Sequence, residues 1–340
     1  MKLRFPKPLD PGDTVAVTSP SGGVPPALKP RLEFAVETVR SRGFEVLIGE
    51  CMDGNGATSA PARERARELQ DFLLDPEIRA VIPPWGGELA IDLIPCLDWQ
   101  ALAEAEPTWV IGYSDISTLL LPLTLNAGVA TVHGNNLLDT PFAVPEGLVG
   151  WMDVVSLPRG ASFTQDAPDK YREGYVLYET FPEVAEFELT EEAYWVRLDD
   201  AGDVRVRGRL IGGCIETLGN LAGTPFGRVS ELARSTGDPL IVYVEAANAD
   251  AYEVCRTLHG MRLAGFFESA AAVLVGRTNA TDCADMNQYD AVIDALGGLG
   301  VPIIADVECG HVAPFMPLVN GATAEVVATE TQSQIRQTLA

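Results

Sequence analysis

The sequence predicts an α/β protein made of two α/β domains, an N-terminal one with a mostly parallel sheet flanked by helices and a smaller C-terminal one. Three observations predict it. Through the first half, short β-branched runs alternate with longer amphipathic stretches, the pattern of a parallel sheet with helices on its faces. Between about residues 158 and 206 the rhythm breaks. It then resumes to the end of the chain. At roughly 100–200 residues per domain, a chain of 340 residues divides into a domain over 1–157, a linker over 158–206 and a domain over 207–340.

The elements follow in order. Thr14–Thr18 (TVAVT) reads as a strand ending in Ser19-Pro20-Ser21-Gly22-Gly23. From Pro30 to Arg42 the apolar residues Leu32, Ala35, Val36 and Val39 recur with a helical period, and Gly43 stops that helix. Phe44–Ile48 is the next strand. Ala62–Leu74 is an amphipathic helix with Leu69, Phe72 and Leu73 on one side. A strand at Ala80–Pro83, a helix near Glu88–Ile94, a strand at Thr108–Gly112 and a helix from Asp115 come next. The linker is rich in Glu, Asp, Tyr and Phe, has no clear helical period, and allows some antiparallel strand. In the second half, strands are expected at Arg207–Ile211, Leu240–Val244, Ala272–Val275, Pro302–Asp306 and Glu325–Ala328. Helices lie between them, notably Ala249–Gly260 and Met286–Leu296.

Composition narrows the function. With 48 acidic and 24 basic residues the net charge is −24. Phosphate backbones and anionic membranes select for Lys and Arg in excess, so nucleic acid and membrane surfaces are not the expected partners. The N-terminus has no apolar signal-type segment, and the apolar run from Leu119 to Val132 is broken by Pro122, Asn126 and Gly128. A cytoplasmic protein is expected. The six cysteines include no CxxC pair, and the three histidines, His133, His259 and His311, show no zinc-type pairing. No metal or cofactor is therefore expected.

In open α/β sheets, ligands bind at the carboxyl ends of the strands. The strand at 80–83 runs into Pro84-Trp85-Gly86-Gly87, and the strand at 108–112 into Tyr113-Ser114-Asp115. The strand at 240–244 runs into Glu245, and the strand at 302–306 into Val307-Glu308-Cys309-Gly310-His311. Ser114, between strand and helix, is placed either as a nucleophile on a sharp turn, with Gly112 giving room, or as a simple helix N-cap. His311 is a candidate base or an ordinary loop histidine. Glu245 either orients that histidine or belongs to the start of the following helix. A third possibility makes Glu216 the acid instead. The backbone N–H groups of Gly87 and Asp115 could form an oxyanion hole, though a Gly-Gly pair is also a common turn.

Taken together, these stretches resemble the LD-carboxypeptidase family of serine peptidases, which includes the microcin-C immunity hydrolases. The matching segments are Pro8–Ser21, Gly86-Gly87, Ile111–Ser117, Val132-His133-Gly134, Gly208–Gly213, Val244-Glu245 and Gly310-His311, in the family's order along nearly the whole chain. The resemblance implies a Ser114–Glu245–His311 triad, a site between two α/β domains, no metal or cofactor, a small peptide-like substrate and a homodimer. Two positions depart from the family. Cys214 stands where Asn is usual, and Trp85 stands where muropeptide-cleaving members commonly have an Arg that could meet a substrate carboxylate. The run Leu210–Leu218 and the aromatic linker look more like the microcin-immunity branch, whose linker stacks an aromatic on a nucleobase. The resemblance thus makes Trp85, Gly86 and Trp195 the candidate substrate-binding residues, with linker packing the other role for Trp195. The expected activity is cleavage of a peptidyl or aminoacyl nucleotide amide, with an L,D-muropeptide as the alternative substrate. The same departures also leave open a two-domain protein that binds a small ligand without turnover.

Overall fold

The computed structural model describes residues 2–54, 57–199 and 202–340. Its first sheet contains β1 (Thr14–Val17), β2 (Glu45–Ile48), β3 (Ile78–Val81), β4 (Trp109–Gly112) and β5 (Thr131–His133), all parallel, in the order β5-β4-β3-β1-β2. The chain leaves β1 for the β2 edge and then crosses back to β3. This reversal puts a crevice beyond the carboxyl ends of β1 and β3.

Helices α1 (Lys29–Ser41), α2 (Ala62–Leu74), α3 (Trp99–Glu104), α4 (Ser117–Leu125) and α5 (Trp151–Val155) connect and cover these strands. α2 buries Ala66, Leu69 and Leu73 along one stripe, as its period requires. The helix expected near Glu88–Ile94 is instead a 3₁₀ segment, Ala90–Cys96, which contains Pro95 and has no side-chain cap. A proline without an N–H and an uncapped start both work against a regular α-helix there. α4 is buried from Ser117 to Thr124. It is buried on all sides because it lies between the two halves, against β4 and β5 on one side and elements of the second domain on the other. Among the described residues, no helix is long and apolar enough to cross a membrane.

The remaining strands are β6 (Ser162–Asp166), β7 (Lys170–Tyr171), β8 (Glu191–Glu192), β9 (Val196–Arg197), β10 (Val204–Cys214), β11 (Leu240–Glu245), β12 (Ala270–Gly276), β13 (Ile303–Val307), β14 (Leu318–Asn320), β15 (Thr323–Ala328) and β16 (Ser333–Thr338). The second sheet has the order β6-β16-β15-β10-β11-β12-β13-β9. Its centre, β10 to β13, is parallel, and its flanks are antiparallel. Helices α6 (Ile215–Leu221), α7 (Ser230–Thr236), α8 (Ala251–Leu263) and α9 (Gln288–Leu296) accompany it. α8 begins two residues later than Ala249, because Asp250 forms a capping box with Glu253. α9 begins after Met286 for the same reason, with Asn287 and Asp290 as its box.

The strand pairing crosses the expected boundaries at 157 and 206. The stretch expected as a linker supplies both edges of the second sheet, β6 and β9, and already contains the start of β10; its residues 200 and 201 lie outside the described residues. Conversely, β14 from the second half pairs antiparallel with β5 and forms the outer edge of the first sheet. A buried asparagine fastens this exchange. Asn320 Oδ1 accepts hydrogen bonds from the Gly212 N–H at 3.1 Å and the Tyr243 hydroxyl at 2.7 Å, and its Nδ2 donates to Thr131 Oγ1 at 3.2 Å. Satisfying several buried polar groups at once, Asn320 fixes one register for the join.

Candidate active site

Ser114 follows β4 on a turn that no helix cap explains. Its φ is +61°, the left-handed region, and it opens a short 3₁₀ turn before α4. A non-glycine residue there costs about 1–2 kcal/mol. Its hydroxyl makes no cap hydrogen bond, so the N-cap role is not the one this serine plays. The turn needs space on both sides. A Cβ on Gly112 would lie 2.8 Å from Asn136 Oδ1, and a Cβ on Gly86 would lie 2.9 Å from Ser114 Oγ and 3.2 Å from the Asp115 nitrogen. Gly86 therefore leaves open a spot that faces both the serine oxygen and a backbone donor.

His311 and Glu245 come together from β13 and β11. His311 Nδ1 lies 2.7 Å from Glu245 Oε2. Glu245 is almost fully buried, and two glycines make room for it. A Cβ on Gly276 would lie 2.6 Å from Glu245 Cβ, and one on Gly310 would lie 3.2 Å from Glu245 Oε2. With the carboxylate accepting from Nδ1–H, the imidazole's Nε2 is left with a lone pair. Burial alone would lower the pKa of His311. The charge of Glu245 and its hydrogen bond outweigh burial, and the pKa is raised above the ordinary imidazole value. Tyr113 packs against this imidazole, with ring centroids 4.9 Å apart.

Ser114 and His311 line one cleft of about 830 Å³ between the two sheets, and they are not hydrogen-bonded to each other. Gly87 and Asp115 border the same cleft. Gly87 is as tightly placed as Gly86, since a Cβ there would lie 2.4 Å from Ser21 Oγ. The Asp115 side chain is turned inward, accepting from Ser21 Oγ at 2.5 Å and from the Ala90 N–H at 2.7 Å, so only its backbone is offered to the cleft. Trp85 also borders the cleft, with its indole N–H held by the Gly22 carbonyl at 3.0 Å.

Two expected roles are placed differently. Trp195 does not reach the cleft. Its indole donates to Glu308 Oε2 at 2.9 Å and packs with the core beneath the second sheet. The linker aromatics that do line the cleft are Tyr175, Tyr178 and Phe187. Composition marks the linker as aromatic, but nothing in it tells which ring turns inward. Glu216, the alternative acid, does not hold His311. Its Oε1 accepts the backbone N–H groups of Ala247, Asn248 and Ala249 at 2.8, 3.0 and 3.0 Å, and Cys214 Sγ donates to its Oε2 at 3.0 Å. Burial works against the ionised form of Glu216, yet these hydrogen bonds, that of the Cys214 thiol foremost, hold its pKa below the usual carboxylate range. His133 is buried, with Nε2 2.7 Å from the Cys309 carbonyl, and burial lowers its pKa. It braces the loop that carries His311.

Such an arrangement can run acyl transfer: an oxygen nucleophile on a strained turn, an imidazole with an oriented tautomer, and a backbone donor beside them. Comparison with known proteins points the same way. Residues 15–134 match the N-terminal domain of LD-carboxypeptidases, and residues 207–326 match their C-terminal domain. The microcin C7 self-immunity protein MccF of Escherichia coli is 25% identical over 321 residues, 92% of this chain and 89% of that protein. The solved wild-type apo structure of MccF superposes with a TM-score of 0.83 at 22% identity, covering 98% of both chains, and MccF has also been solved in complex with aspartyl sulfamoyl adenosine. A muramoyltetrapeptide carboxypeptidase from Oxalobacter formigenes superposes with a TM-score of 0.69 at 20% identity, covering 95% of this chain and 98% of that one.

Proposed function

Because this chain belongs to the LD-carboxypeptidase family and is a serine carboxypeptidase of its MccF-like branch, we propose that Ser114, Glu245 and His311 form its catalytic triad and that it hydrolyses the amide of an aminoacyl or peptidyl nucleotide. The observation that carries the triad is the 2.7 Å hydrogen bond between His311 Nδ1 and Glu245 Oε2, across the cleft from a serine held in a left-handed turn. In the first step Ser114 Oγ attacks the carbonyl carbon while His311 Nε2 takes its proton. The oxyanion forms in the space left by Gly86, within reach of the Asp115 N–H and, on the neighbouring turn, Gly87. His311 then returns the proton to the leaving nitrogen, and water repeats the sequence on the acyl-enzyme. A Ser–His hydrogen bond tightens when substrate fills the cleft.

Substrate choice rests on the walls. Trp85, Tyr175, Tyr178 and Phe187 offer flat apolar surfaces on which a nucleobase can stack. Their number, together with Trp85 in the position where an Arg could meet a muropeptide carboxylate, supports the nucleotide reading over the muropeptide one. The test is a panel of aminoacyl sulfamoyl adenosines and muropeptide tetrapeptides with the wild-type protein and Ser114→Ala. Hydrolysis of an aminoacyl nucleotide by the wild type, with kcat reduced by at least about 10⁴-fold in Ser114→Ala and an unchanged melting curve, is the expected result. Cleavage of the tetrapeptide alone would overturn the substrate reading, and full activity in Ser114→Ala would overturn the triad.

A further inference from the structure

Away from the cleft, helices α8 and α9 bring together three side chains of metal-ligand type. Cys255 and His259 are four residues apart on α8, so both project from one helical face. Asp294 projects from α9, which packs along α8. One carboxylate oxygen, Asp294 Oδ2, lies 2.7 Å from His259 Nε2 and 3.4 Å from Cys255 Sγ. One ligand atom from each residue falls within 4.8 Å of the other two. The three donors thus face a single point. The nearby Arg262 does not compete for it, since its guanidinium donates to the Ala295 carbonyl at 2.8 Å. In sequence these residues form neither a CxxC pair nor a histidine pair. A Cys-x₃-His spacing on a helix offers two ligands on one face and needs its third from another segment.

We propose that Cys255, His259 and Asp294 form a surface site for a borderline-soft divalent cation, Zn²⁺ by preference, with a fourth position open to water. The donor set decides the ion. A thiolate and an imidazole disfavour Mg²⁺ and Ca²⁺, which take oxygen ligands, and one sulfur, one nitrogen and one oxygen suit four-coordinate Zn²⁺. On binding, the Cys255 thiol loses its proton to solvent, His259 coordinates as neutral imidazole through Nε2, and Asp294 gives up its hydrogen bonds for a metal bond. None of the three lines the cleft, so the ion clamps α8 to α9 and takes no part in hydrolysis.

The experiment is a Co²⁺ titration of the metal-free full-length protein, followed by the near-ultraviolet thiolate-to-cobalt charge-transfer absorption. One equivalent is expected to bind and to be displaced by Zn²⁺. Cys255→Ser should abolish the band, His259→Ala and Asp294→Asn should weaken binding by about 10-fold or more, and Cys96→Ser should leave it intact. In the wild type, Zn²⁺ should also slow alkylation of Cys255 by iodoacetamide, read by peptide mass spectrometry. Absence of the band at one equivalent, a band that survives Cys255→Ser, or an unchanged alkylation rate overturns the site.

Discussion

The serine, histidine and glutamate owe their placement to residues that do no chemistry. Gly86 keeps the space before Ser114 open, and Gly276 and Gly310 give Glu245 room. These glycines act through what they leave out. The raised pKa of His311 carries a prediction. Only the neutral imidazole can accept the serine proton, so the acid limb of the kcat/KM profile should lie above the ordinary imidazole value of about 6.5. Glu245→Gln should move that limb to lower pH and lower kcat by about 10⁴-fold; a limb that stays in place would mean another group sets it. The same pair affects stability with a definite sign. Its contribution is complete below the unfolded imidazole's pKa and fades as pH rises through the raised folded value. At this scale the sequence was informative about position, because Ser114, Glu245 and His311 all lie at or within four residues of the carboxyl end of a strand. It failed at Trp195, because a linker without periodicity does not fix which side of the chain is buried.

Glu216 sits in the first turn of α6 and organises a different element, the connection from β11 to α8. By accepting three successive amides, it fixes the loop that forms one wall of the cleft. Glu216→Ala leaves these donors without their acceptor. Amide exchange at 247–249 should accelerate and stability should fall by about 1–3 kcal/mol, whereas Glu216→Gln, which keeps an acceptor oxygen, should lose less. Hydrogen-exchange mass spectrometry with thermal melts checks both, and equal exchange in the two variants would show that Glu216 does not hold the loop. Most elements of the parallel cores were legible, since their strands are β-branched runs and α2 has a clean apolar stripe. Boundaries slipped where a cap decides them, as at Asp250 and Asn287. The edge strands β6, β9 and β14, and β16 between β6 and β15, were not placed by the sequence, which allowed only some antiparallel strand in the linker, because their hydrogen bonds go to segments distant in sequence and leave little local signal.

For the molecule as a whole, the two sheets and their order along the chain were predicted, while the exchange of strands between the halves was not. That exchange ties the linker to the loop of His311 through a buried acid. Glu308 accepts from Trp195 on the linker side and lies 3.5 Å from Arg277. Burial pushes its pKa up to about 7, against the pull of Trp195 and Arg277. The folded protein therefore holds this proton where the unfolded chain has released it, between about pH 4.5 and 7. Over that window stability should fall with rising pH, by an amount on the order of 3 kcal/mol. Glu308→Gln, which keeps an acceptor for Trp195, should flatten the dependence. Melting temperatures from pH 5 to pH 8 test this, and parallel curves for the two proteins would rule it out.

The pairing of β14 with β5 bears on how the protein is made. During synthesis the first domain emerges with the Ser114 turn encoded and with β5 as a bare outer strand. The segment that covers β5 follows His311 by fewer than ten residues. The strand that completes the first sheet and the histidine proposed as the base thus leave the ribosome almost together. On the proposed reading, the nascent chain carries Ser114 long before it carries the histidine that would activate it.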